Sequence, residues 1–302
     1  MQLSRRAVLG GSVAVSALLG TKAAATAESP ARRTGVDPAL GALLSRQLHE
    51  RLLHDPQSLT SLGLDTGSLA WARSRLTQTG PEAEAAARQR LAQHHAELAA
   101  FDTARLSEAD RRLYDASWFK LDSLHRLSRR FPFGTTRGPY FTPYIVTQLT
   151  GAWYEVPALL DEAHPVETRA DAEAYLARLS AFANILDGET ARIAQDAERG
   201  IVPPDFMLAR TASGIEAMAK TPAEESGLVR SLGERAARQG LGGFEKRAAR
   251  IFDRAVSPAL LRQAGKLRSL LEGARHDAGC YALPQGEEIY RLGLLDNTTR
   301  PL

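Results

Sequence analysis

Cysteine is nearly missing from this sequence: Cys280 is the single one in 302 residues. An internal disulfide and any multi-cysteine zinc or iron–sulfur site are excluded. A lone thiol beside Tyr281 reads as a small apolar side chain rather than a nucleophile. Net charge is also scarce. The excess is +3, and Arg5, Arg6 and Lys22, with no acid before residue 28, account for all of it. Residues 28 to 302 hold 35 basic and 35 acidic groups. Without a basic footprint the chain has nothing to hold a phosphate backbone, so nucleic acid is excluded as a partner. Two further absences bound the fold. No segment alternates apolar and polar residues with β-branched enrichment, so no sheet of consequence is expected. No fixed-period repeat is present.

The N-terminus carries a leader pattern. A charged start, a weakly apolar run from Ala7 to Gly20 and small residues ending Ala25-Thr26-Ala27 have the three-part layout of a secretory signal cleaved after Ala27. The run is too short to span a bilayer. The segment Ser4-Arg5-Arg6-Ala7-Val8-Leu9 resembles the twin-arginine export motif, with Arg5 and Arg6 as the pair read by the export machinery. No cysteine follows the run, so no stable membrane anchor is expected. The expected destination is periplasmic or otherwise extracytoplasmic, with a signal peptide at 1–27, a flexible mature N-terminus at 28–36 and a helical domain at 37–302.

Helical patterning fills that domain. Asp37-Pro38 offers a cap and a first-turn proline, and Leu40, Leu43, Leu44, Leu48 and Leu52 follow at three- or four-residue steps. Asp55-Pro56 stops this helix, and residues 56–67 read as a turn-rich connection. Gly80-Pro81 opens a second helix, and Ser107 with Asp110 a third that ends before Pro132. Residues 132–144 form the least helical stretch, with Phe133, Tyr140, Phe141 and Tyr144. Thr168 with Asp171 starts a long helix toward Gly200. Further helices are expected at about 205–219, 222–239, 243–256 and 258–272. The fold class is therefore all-α, a multi-helix antiparallel array.

Tests for chemistry return no catalytic residue and no metal ligand set. His49-Glu50-Arg51-Leu52-Leu53-His54 approaches the His-Glu-x-x-His zinc signature, but an i, i+5 pair lies about 140° apart on a helix and cannot close on one ion. The vicinal His94-His95 reads as a solvated helix face, and His125, His164 and His276 as isolated. No G-x-S-x-G elbow exposes a serine. The carboxylate pairs Glu82/Glu84 and Glu224/Glu225 sit at helix starts, where the macrodipole accounts for them.

Several blocks, taken in order, carry a family resemblance. LLHDPQSLTSLGLD is similar to a block of the form D-P-x-x-x-T-x-L-G. The run from Pro143 to Phe182, with Tyr175, Arg178 and Leu179, and the Gly200 to Pro204 turn follow in the expected sequence. YALPQGEEIYRLGLLDNTT is similar to L-P-x-G-x-x-Y-Y-x-x-x-L-x-x-x-T-T, with Ile289 replacing the first tyrosine. Together they resemble the bacterial domain of unknown function family 885, an exported and mostly helical family similar to zinc metallopeptidases. The resemblance implies an N-terminal half of a larger helical metallopeptidase-like fold, truncated before the zinc-binding block. It places Tyr290, Thr298 and Thr299 as substrate-binding residues and implies zinc only for the full-length family, with no cofactor in this chain. Its own missing C-terminal half would be the partner. The rival expectation is a non-catalytic exported helical binding protein that uses the aromatic stretch at 132–144. N-terminal sequencing of the exported chain is expected to begin at Glu28, and a chain that retains Met1 after export would contradict the leader assignment.

Overall fold

A computed structural model describes residues 35–135 and 141–299. The leader with Arg5, Arg6 and Ala27, the tail up to residue 34, Tyr140 and the last three residues lie outside the described residues. The architecture is all-α, as the patterning predicts. Among the described residues the one pairing of β type is an isolated antiparallel bridge, Thr135 with Thr142.

The helices are α1 (Pro38–Leu53), α2 (Pro56–Ser61), α3 (Pro81–Ala99), α4 (Glu108–Arg130), α5 (Ala152–Ala158), α6 (Arg169–Glu198), α7 (Asp205–Lys220), α8 (Gly227–Arg238), α9 (Phe244–Ile251), α10 (Ser257–Ser269) and α11 (Gly286–Thr298), with a 3₁₀ segment at Gly67–Ser74. The structure differs from the sequence reading at residues 56–61 and adds detail at three further places. Residues 56–61 are helical rather than a turn, because the Asp55 carboxylate accepts from Ser58 N at 3.2 Å and Pro56 sits in the first turn, where its missing N–H costs nothing. Residues 152–163 form a helix ending in a π turn, closed by His164 N donating to Leu159 O at 2.9 Å. Pro258 sits in the first turn of α10, as the sequence reading has it. A π turn over Phe252–Val256 joins α9 to α10 without a break and absorbs the missing N–H and the ring clash of the proline. Lastly, Asn297 and Thr298 end α11, each donating to a carbonyl four residues back, and Thr299 follows in the left-handed conformation.

Helix α6 is the axis of the fold. Thr168 and Asp171 close the capping box, and at the other end Gly200, at φ +78, lets Ile201 N reach back to Asp196 O at 3.0 Å. Tyr175, Leu179, Phe182 and Leu186 are fully buried in the main core cluster, with contributions from α5, α7, α8, α9 and α10. A smaller cluster joins Leu127, Phe131 and Phe133 to Ile289 and Leu292 of α11. Helix α11 is tied to α4 by Lys120 on both oxygens of the buried Asp296, at 2.7 and 2.8 Å.

The fully buried Arg178 sits among neutral acceptors. Its Nε donates to Arg75 O at 2.9 Å. Its Nη2 donates to Pro56 O, Thr60 Oγ1 and Ala72 O at 3.3, 2.6 and 3.0 Å. Its Nη1 donates to His164 Nδ1 at 3.0 Å. Because that nitrogen accepts, His164 is neutral with its proton on Nε2, which donates to Asp171 O at 2.9 Å. Burial accordingly pushes the His164 pKa down to about 4 and that of Arg178 down to about 10. One side chain thus pins α2, the 3₁₀ segment and the start of α6 together. Replacing Arg178 with Met strands these acceptors and is expected to lower stability in urea unfolding by about 3–5 kcal/mol. The surface pair Arg262 with Asp187 provides the contrast: Arg262→Met is expected to cost less than about 1 kcal/mol.

Candidate functional site

Seven positions of α6 continue one stripe at alternating steps of three and four: Tyr175, Arg178, Phe182, Ile185, Glu189, Arg192 and Asp196, all buried. Four of the seven can carry charge, and the last three face an open cleft of about 650 Å³ or its margin. The cleft lies between α2, the stretch Thr77–Thr79, the turn before α5, α5 with its π turn, and the middle of α6.

Each wall has a local anchor. Asp55 accepts from Thr77 Oγ1 at 2.8 Å and from Ser58 Oγ at 2.6 Å, while Gln57 accepts from Thr77 N at 3.1 Å. Thr79 Oγ1 then donates to Ile185 O at 2.7 Å, which stitches this stretch to α6. There Gly188 meets Gly80 so closely that a Cβ on Gly188 would lie 2.9 Å from Gly80 N. Opposite, Glu189 Oε1 accepts from Ala152 N at 2.9 Å and Oε2 from Gln263 Nε2 at 3.1 Å, fixing the start of α5 to the floor.

The margin beyond Glu189 is a clamp of buried charge. Arg192 pairs with Glu84 at 3.3 Å and donates to Gly134 O. Asp196 accepts from Gly134 N at 3.1 Å. Gly134 is in the left-handed region at φ +61, and a Cβ there would sit 2.2 Å from Thr142 O, so only glycine fits. Arg88, paired with Glu84 at 3.0 Å, donates to Ser128 O, Phe131 O and Phe133 O. The rings of Phe131, Phe133 and Phe141 pack on one another in the interior, so the described part of the aromatic stretch is an anchored loop that lends Thr135 and Thr142 to the cleft. Glu84 is therefore an interior ion partner and not a dipole-compensating surface acid.

The sequence candidates fall elsewhere. Tyr290, Thr298 and Thr299 lie on or at the end of α11, all exposed, and none lines the cleft. His94 and His95 are not a solvated face. His94 Nε2 contacts Glu50 Oε2 at 2.9 Å, and His95 Nε2 contacts Asp122 Oδ1 at 3.0 Å. His125 is not isolated either, its ring centroid lying 4.0 Å from that of His95. His276 contacts Asp205 at 2.9 Å. Among the described residues no three His, Cys, Asp or Glu side chains converge as a metal would require. Glu189 and Arg192 escaped the sequence reading. Their signal was their place on the apolar stripe, where an unpaired charge would be costly and a charge therefore implies a site or a network.

Glu189 is the titratable centre of the cleft. Burial raises its pKa to about 7, against the two hydrogen bonds it accepts. The folded state therefore holds a proton that the unfolded chain releases near its ordinary 4.5, and the stability from that proton is lost as pH rises toward 7. His164 has the opposite sign: between about 4 and 6.5 the unfolded chain binds a proton that the folded one refuses, so stability rises with pH. The two slopes oppose each other from about pH 4.5 to 6.5. Glu189→Gln removes one of them, and its urea stability is expected to climb across that window by about 1.4 kcal/mol per pH unit relative to the parent. Parallel profiles for parent and variant would contradict the assignment.

Residues 56–302 match the family model described as a bacterial protein of unknown function, DUF885. No curated protein matches the chain. Among solved structures the chain is similar to a crystal structure of a protein of Colwellia psychrerythraea designated a lipoprotein, at 19% identity and a TM-score of 0.77. The similarity covers 87% of this chain and 46% of that one, so the chain spans just under half the length of that relative.

Proposed function

Since the chain belongs to the bacterial family of unknown function DUF885, we propose that it is the substrate-binding helical portion of an exported, metallopeptidase-like peptide hydrolase. The cleft on α6 is the observation that carries this reading. Its volume of about 650 Å³ falls in the range of about 300–1,000 Å³ usual for ligand sites. Apolar side chains of Ile145, Val156 and Leu159 line it together with the hydroxyls of Ser61, Thr77 and Thr142, a mixture that suits an extended peptide with its alternating backbone donors and acceptors. The similarity to less than half of a longer helical protein supports the assignment of catalysis to a portion outside this sequence. Export rests on the leader pattern, with Arg5 and Arg6 as the twin-arginine pair. The residues of α11, Tyr290, Thr298 and Thr299, then face the second portion of the enzyme.

The cleft can be blocked without touching the core. Ala158 is exposed and lines it, and Ala158→Trp fills it with a large side chain. The parent chain is expected to bind short peptides in isothermal titration calorimetry and to hydrolyse none with zinc added, and Ala158→Trp to weaken that binding at least about tenfold at unchanged thermal midpoint. Stoichiometric zinc uptake with turnover by this chain alone would overturn the division of labour. Equal binding by parent and variant would overturn the site.

A further inference from the structure

We propose that Glu189 recognises a backbone N–H of a peptide bound in the α6 cleft, and that binding expels the Glu189 proton to solvent. This deepens the reading above and rests on the cleft being a peptide site. Glu189 is only 3% exposed, yet it lines the cavity. Among the described residues no salt bridge reaches it: Arg192, one turn along α6, is paired with Glu84 and donates to Gly134 O. Its two fixed partners are both donors, Ala152 N to Oε1 at 2.9 Å and Gln263 Nε2 to Oε2 at 3.1 Å. A carboxyl so placed is suited in neither of its states. Burial without a cation penalises the carboxylate. Two donors suit the carboxylate and offer the hydroxyl of the acid nothing to donate to.

Gln263 carries the same mismatch. It is fully buried, its Nε2 also donates to Leu186 O at 3.3 Å, and its Oε1 has no hydrogen-bond partner. Turning the amide over would offer Oε1 to a protonated Glu189 and give up the bond to Leu186 O. The acid therefore gains an acceptor only by loosening the floor. A third donor, arriving through the cavity, removes the conflict. An ionised carboxylate has about four acceptor sites, of which the fixed partners fill two, and hydrogen bonds to a charged acceptor are roughly twice as strong as neutral ones. A peptide N–H supplies that donor. Burial holds the Glu189 pKa at about 7, so a donor that favours the carboxylate drives the proton off in the neutral range. The charges that face Glu189 are Glu155 on α5 and Arg192 on α6, with Glu84 and Arg88 of α3 behind Arg192. Helix α10 presents the neutral Gln263, the stretch Thr77–Thr79 has no charged residue, and no histidine is in the described lining.

Isothermal titration calorimetry on the full chain tests this with N-acetyl-trialanine N-methylamide, a peptide without a titratable group, in buffers of different ionisation enthalpy. The ligand favours the ionised form, so the Glu189 pKa is lower in the complex than in the free chain, and affinity is lost as pH falls below the free value. Binding is expected to release up to one proton below pH 7, with affinity rising by up to about tenfold per pH unit toward 7 and levelling off above it. Glu189→Gln is expected to bind with no proton release and a flat profile, and Glu155→Gln, which alters an exposed acid of the opposite wall, to keep both effects. Analogues that replace each N–H in turn by an ester oxygen identify the donor, and one of them is expected to bind the parent chain without proton release. Peptide binding with a flat pH profile and no proton release would overturn this inference and leave the peptide site standing. Proton uptake on binding would overturn it too, since it would make Glu189 a donor to a ligand carbonyl. Release that persists in Glu189→Gln, or with every ester analogue, would overturn the assignment. Absence of binding by the peptide and all its analogues would overturn both readings.

Discussion

The fold depends on one buried guanidinium. Arg178 has left water entirely, a step that costs several kcal/mol unless every donor is met. Among the described residues no carboxylate touches it. Carbonyls, a hydroxyl and an imidazole meet its donors, and Thr60 relays the charge by accepting from Arg178 and donating to Asp65 Oδ2 at 2.9 Å. Asp65 is in turn held by Arg73, which also reaches Asp171 at 2.7 Å. The block Asp-Pro-x-x-x-Thr-x-Leu-Gly acquires a physical meaning here. Asp55 caps α2, Pro56 offers a carbonyl, Thr60 is the relay, and Gly63 turns the chain at φ +68. The block is the socket of Arg178.

The same helix serves the cleft about three turns later. Once Arg178 has fixed α2 and the 3₁₀ segment to the first half of α6, the second half presents Glu189, Arg192 and Asp196 to the opposite wall and to the aromatic loop. Buried charge is a poor source of net stability, but it is directional. Glu189 aligns the start of α5 through one N–H, and Arg192 with Asp196 grips both sides of the Gly134 peptide. Apolar packing of α6 against α7 and α10 supplies the stability that these contacts do not.

The sequence made most helices legible because their ends carry local chemistry: Asp37-Pro38, Ser107 with Asp110, and Thr168 with Asp171 all cap the helices they announce. The segment read wrongly is one where a proline is ambiguous. Pro56 reads as a stop and is a first-turn residue of α2, whereas Pro258 reads as a start and is one. The cleft was illegible for a different reason. Its walls come from residues about 55–79, Thr135, 142–163 and 185–192, which meet only after α6 is built. Glu189 and Arg192 were visible as charges on an apolar stripe, but their partners Ala152, Gln263, Glu84 and Gly134 are set by long-range packing. The paired histidines failed similarly, since the acids that meet them lie on neighbouring helices.

The account turns on α6 and its cleft being the ligand site, in preference to the exposed face of α11. Hydrogen–deuterium exchange of the full chain with and without saturating peptide tests this most directly. The account predicts slowed exchange confined to residues 55–61, 77–79 and 150–163, with α11 unchanged. Slowed exchange over residues 286–299, with the cleft segments unaffected, would contradict it.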